Sequence, residues 1–165
     1  SAGKTLSFTG WKIGWAHGPA ELITAVRTVK QFLTYVSGAP FQPAVAAALD
    51  DPDGATAAYV SGLRDSLQTR RDLLVEALWT AGFAPVTPQG AYYVVADARG
   101  VGYDDAVTLC RRLPERAGIV AIPVTAFATP GGQTARELAS WVRFTFVKSQ
   151  PLLREAARRL AALRR

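Results

Sequence analysis

The chain has 165 residues, with 19 Lys and Arg against 13 Asp and Glu, a net charge of +6. Apolar residues make up 49% and charged residues 19%, a globular composition that excludes a disordered chain. No apolar run reaches the roughly 20 residues of a membrane span, and one cysteine and one histidine exclude an intrachain disulfide and a Cys- or His-rich metal site.

The first residues, SAGKTLSFTG, lack the basic start and apolar stretch of a secretory signal. Met is absent throughout, so a piece of a longer protein is the expectation. Residues 1–18 are glycine-rich, with Ile13–Ala16 predicted as a short buried strand. Pro19 suits the first turn of a helix. Leu22, Val26, Val29 and Leu33 then recur at spacings of four, three and four, one apolar face of an amphipathic helix. Gly38 and Pro40 break it. A short alanine-rich helix is predicted from Pro43 to Leu49, and DDPDG is a turn.

A long helix follows, Ala55 to Ala81. Val60, Leu63, Leu67, Leu74 and Leu78 form its apolar stripe and Gly82 its stop. Residues 83–86 and 91–97 read as strands. A helix is predicted over Asp104 to Leu113. It holds Cys110 at helical spacing from Val107 and Leu113, a core thiol and not a nucleophile. Residues 118–124 read as a buried strand and ATPGGQ as a loop. WVRFTFV (141–147) alternates, with Val142, Phe144 and Phe146 on one side and Arg143 and Thr145 on the other. Pro151 opens the last helix, which carries Arg154, Arg158, Arg159, Arg164 and Arg165 against Glu155. Cations suit a helix C-terminus. Aromatics do not interleave with them as in single-strand binders, so neither a nucleic-acid nor a membrane partner is expected.

Strands interleaved with helices predict an α/β layer fold for residues 83–165. Residues 1–50 read as the end of another, larger domain. Residues 51–82 would connect the two.

The chemistry centres on SAGKT. A G-K-T ending suggests a phosphate loop, but that motif needs a glycine five residues before Gly3 and a helix after the lysine. LSFTGWKIGW, with its two glycines, makes a poor helix. A lysine in a small-residue loop also suits Schiff-base chemistry. Ser1 and Lys12 nearby offer a hydroxyl and a second cation for a phosphate.

The segment SAGKTLSFTGWKIGW resembles the lysine segment of class I/II aminotransferases dependent on pyridoxal phosphate (PLP). Four further segments resemble the same family in order: VKQFLTYVSGAPFQPAVA, PQGAYYVVAD, GIVAIPVTAF and VRFTFVK. Among its members the chain is most similar to kynurenine, glutamine and methionine aminotransferases and to actinobacterial succinyldiaminopimelate aminotransferases.

The resemblance implies an α/β small domain plus the last segment of a large PLP-binding domain. It implies that Lys4 is the Schiff-base lysine and proton carrier. Ser1 and Lys12 would bind the cofactor phosphate. Arg143 would grip the substrate carboxylate. Tyr35 would line the neighbouring subunit's site in a homodimer, or else sit in the core. The implied substrates are an amino acid and a 2-oxo acid, and the implied setting is cytoplasmic. The family's long N-terminal half, with the acidic partner of the pyridine nitrogen and the stacking aromatic, is not among these residues. The chain alone is therefore expected to be incompetent in turnover. A PLP-dependent C–S β-lyase and a non-catalytic basic binding module are the alternatives.

Overall fold

The computed structural model describes residues 1–36 and 38–164, without the side chain of Arg164. Of the basic C-terminal residues, Arg165 thus lies outside the described residues. The chain divides into two compact units, Ser1–Arg64 and Asp65–Arg165.

The first unit holds α1 (Ala2–Thr5), α2 (Ala20–Leu33) and α3 (Phe41–Asp50). Its core is small: Ala2, Ile13 and Val45, with Phe8 and Phe41 packed against them. The Trp11 ring stacks on Phe41 at 4.7 Å between centroids. No strand forms at Ile13–Ala16. A strand is stable only where neighbours pair its backbone, and no paired strand occurs among the described residues of this unit. Only Ile13 of that segment is buried, tied by the Ala2 N–H donating to its carbonyl at 3.1 Å. The stripe of α2 forms as the periodicity predicts, yet Leu22, Val26, Val29 and Leu33 are all more than half exposed.

The unit boundary falls inside α4 (Ala55–Ala81). The Asp51 carboxylate starts this helix by accepting from Thr56 N–H at 2.7 Å and Ala57 N–H at 2.9 Å. Its later turns carry Leu74, Leu78 and Ala81 into the core of the second unit.

That core lies on one face of a four-stranded antiparallel sheet of order β1-β2-β4-β3. The strands are β1 (Ala84–Val86), β2 (Tyr93–Asp97), β3 (Ile122–Pro123) and β4 (Trp141–Thr145). Val94, Ala96, Val142 and Phe144 point to the packed face. Against them lie residues of α4, of α5 (Ala106–Ala117) and of α7 (Gln150–Ala161). The alternation predicted for 141–147 holds: Val142, Phe144 and Phe146 are buried. The strand predicted over 118–124 shrinks to Ile122–Pro123 at the sheet edge, and Val120 is exposed. Pro123 lacks the N–H a ladder needs, which confines such a segment to an edge. Helix α5 runs past Leu113 and through Pro114 because Leu113 and Ala117 bury the same face. Gly118, at φ 62°, then ends it by donating to the Pro114 carbonyl. A short α6 (Gln133–Glu137) starts at the last residue of ATPGGQ, an element the sequence reading does not contain.

Two backbones meet where α4 leaves the helical layer. A Cβ on Gly100 would sit 2.1 Å from the Gly82 carbonyl oxygen, so only glycine fits there. Half-buried Cys110 packs against the core, and burial pushes its thiol up to about 11. That is the behaviour of a packing residue and not of an activated thiolate.

Asp97 closes β2. Its carboxylate accepts from the Arg99 backbone N–H at 3.0 Å and from Arg99 Nε at 2.8 Å. The Arg99 side chain holds its pKa down at about 2. The unfolded value is near 3.9. A lowered folded value contributes stability that is fully present above the unfolded pKa and lost as pH falls through the folded one. Stability is therefore expected to decline between about pH 4 and pH 2, and Asp97→Asn to flatten that limb. Urea melts across that range check it, and an unchanged slope in the variant would refute the assignment.

Candidate active site

Lys4 does not lie in a loop, as the sequence reading has it, but in the single helical turn α1, with its side chain exposed. Its N–H donates to the Ser1 carbonyl at 3.1 Å. The Ala2–Ile13 hydrogen bond folds residues 1–4 back onto residues 12–14. A Cβ on Gly14 would stand 3.7 Å from Ser1 Cα. One short backbone tie thus draws Ser1, Lys4 and Lys12 onto a common segment. Lys12 takes the left-handed conformation at φ 56° as it ends a single 3-10 turn, Thr9–Trp11. Residues 1–20 contain no Asp or Glu. Among the described residues, no ion pair engages either lysine. The segment therefore carries uncompensated positive charge.

Tyr35 is not a core residue. It sits just past α2 with 79% of its surface exposed and φ 54°. Its N–H donates to the Lys30 carbonyl at 3.0 Å, and Lys30 Nζ donates back to the Tyr35 carbonyl at 3.2 Å. Tyr35 and Lys12 line one cleft of about 460 Å³ with Trp15, Lys30 and Val45. Ser1 and Lys4 are not part of that lining.

In the second unit, Arg143 stands at the centre of β4, between Val95 of β2 and Ile122 of β3. Parity puts it on the face away from the core, as the alternation predicts. Its guanidinium carbon lies 4.1 Å from the Tyr93 ring centroid and 4.2 Å from that of Phe127. Its Nε is buried and has no hydrogen-bond partner among the described residues. A buried, unpartnered donor of a charged group is costly unless an acceptor arrives. A carboxylate is the acceptor whose planar geometry suits the fork of an arginine.

Tyr93 and Phe127 were not singled out from the sequence. Tyr93 has the same parity as Arg143 once the β2–β4 register is known, with Tyr93 opposite Thr145. Strand alternation alone could have placed it on this face. Phe127 ends the 3-10 turn Val124–Phe127, and no periodicity announces its approach.

The family model for aminotransferase class I and II matches residues 1–160. The chain belongs to the class I and II aminotransferases. A probable N-succinyldiaminopimelate aminotransferase of Mycobacterium tuberculosis is 52% identical over 99% of this chain and 41% of its own length. A kynurenine–oxoglutarate transaminase of Dictyostelium discoideum is 35% identical over the whole chain and 41% of its own. The solved N-succinyldiaminopimelate aminotransferase of Mycobacterium tuberculosis superposes with a TM-score of 0.85 at 52% identity, over 99% of this chain and 40% of that one. An aspartate aminotransferase of Thermus thermophilus with maleate gives 0.81 at 33%, over 96% and 38%. This chain thus has their mixed α/β fold and spans about two fifths of their length.

Proposed function

We propose that this chain supplies the lysine-bearing and carboxylate-binding parts of a PLP-dependent aminotransferase. The observation that carries the reading is the pair of uncompensated cations, Lys4 and Lys12, on one segment tied back on itself by the Ala2–Ile13 hydrogen bond.

The donor set fits a phosphorylated aldehyde cofactor. Lys12 Nζ and Ser1 Oγ would hold its phosphate, an ammonium and a hydroxyl against a dianion. Lys4 Nζ would make the covalent link and, once free, take the proton from the substrate Cα. Bound PLP supplies an electron sink for the carbanion that this proton transfer leaves. Arg143 would hold the amino acid by its carboxylate, which the planar fork of a guanidinium suits. Tyr35 would serve a neighbouring subunit in a homodimer. The 52% identity to the mycobacterial relative supports N-succinyldiaminopimelate as the amino acid substrate, with a 2-oxo acid as acceptor.

The test is direct. The chain is mixed with PLP, reduced with borohydride, digested and weighed by peptide mass. The adduct is expected on Lys4 alone of the chain's lysines. Labelling spread evenly over Lys4, Lys12, Lys30 and Lys148 would overturn the reading.

A further inference from the structure

We propose that Tyr93 and Phe127 are positioning residues that clamp the Arg143 guanidinium between two aromatic faces and ready it for a carboxylate. The inference rests on the reading of Arg143 as the carboxylate-binding group. Three observations carry it. First, both ring centroids stand close to the guanidinium carbon, at 4.1 and 4.2 Å, on separate elements. Second, Arg143 Nε is buried yet bonded to nothing among the described residues. Third, the ring of Phe127 stays at the guanidinium although the residue is 63% exposed.

The 3-10 turn Val124–Phe127 brings the residue to β4, and the ring's attraction for positive charge then favours its place beside the cation. Tyr93 is itself braced: its ring meets that of Tyr92 at 4.6 Å, and Tyr92 packs on the core. Two π faces fix the plane of a guanidinium and strip water from its faces. They accept no hydrogen bond in its plane, so the in-plane N–H groups remain free for an incoming acceptor. An arginine held by a carboxylate of its own would have to break that pair first. The clamp thus prepares the donor without competing for it, and less side-chain entropy is lost when a carboxylate binds.

The test uses the whole 165-residue chain labelled with ¹⁵N in arginine. The Nε–H resonance of Arg143 is assigned by its disappearance in Arg143→Gln. 2-Oxoglutarate, a 2-oxo dicarboxylate, is then titrated. Phe127→Leu and Tyr93→Leu keep apolar bulk and lose the ring, and are expected to weaken binding roughly threefold to tenfold each. Phe127→Tyr and Tyr93→Phe keep a ring and are expected to bind as the parent does. In the parent without ligand, ring currents place the Nε–H signal upfield, and each Leu variant moves it back. This second readout stands even where binding is too weak to fit.

Binding lost in Arg143→Gln and full in both Leu variants, with an unmoved Nε–H signal, overturns the clamp and leaves the carboxylate reading intact. Binding unchanged in Arg143→Gln overturns both. Loss in the Leu variants with rescue by the aromatic ones establishes a role that mere volume cannot fill.

Discussion

Lys4→Ala leaves the chain without its reducible PLP adduct, and what labelling survives on the other three lysines is no more than free surface amines give. The substitution isolates chemistry from folding. Lys4 is exposed in a one-turn helix, makes no ion pair among the described residues, and is replaced by the residue best suited to helix. Thermal stability is expected to stay within about 0.5 kcal/mol of the parent. The phosphate side of the site is read separately with Lys12→Asn. Asparagine tolerates the left-handed backbone at φ 56°, where alanine would add strain to the lost charge. A charge-assisted hydrogen bond is worth about 1.5–3 kcal/mol. The concentration of PLP that half-saturates the Lys4 adduct is therefore expected to rise roughly 10- to 100-fold. Full labelling elsewhere in Lys4→Ala, or unchanged saturation in Lys12→Asn, would remove the lysine pair from the proposal.

The parts of this molecule legible in its sequence are those decided by local periodicity. The stripe along α4 ends at Gly82 as the spacing says, because an apolar run at period 3.6 has one way to bury itself. The alternation of β4 fixes which side Arg143 takes before any partner strand is known. Long-range pairing decides the rest. GIVAIPV is apolar enough for a buried strand, yet Pro123 and the edge position leave only two of its residues in the sheet. The α2 stripe says that the helix has an apolar face and nothing about what meets it, and here that face is exposed. Of the candidate site, Lys4, Ser1, Lys12, Tyr35 and Arg143 came from resemblance, since spacing alone could not choose among phosphate, Schiff-base and structural roles. The aromatic pair around Arg143 was hidden because its members sit 34 residues apart in sequence and meet only through the sheet register and a turn after β3.

Phe83→Ala is expected to cost the second unit about 3–5 kcal/mol, the range for emptying a buried aromatic site. Phe83 is 1% exposed and sits at the joint where α4 hands over to β1. Its N–H donates to the Leu78 carbonyl at 3.0 Å, so the chain turns sharply just as the ring enters the core. There it meets Phe144 edge-on, with centroids 5.6 Å apart and planes at 81°. Such pairs add about 0.5–1.5 kcal/mol beyond burial. The neighbouring backbones cannot close the cavity, because Gly82 already touches Gly100 and leaves no slack to collapse. A loss of that size is a large share of the 5–15 kcal/mol by which whole domains are stable. Trp79→Ala is the control: it removes a larger ring four residues earlier, but one 57% exposed, and should cost far less. Urea unfolding followed by amide resonances assigns the effect to its unit. The transition of Asp65–Arg165 is expected to move to lower urea in Phe83→Ala. A Phe83→Ala loss below about 1 kcal/mol would mean that the core re-forms around the gap, and that the Gly82–Gly100 contact is looser than its geometry implies.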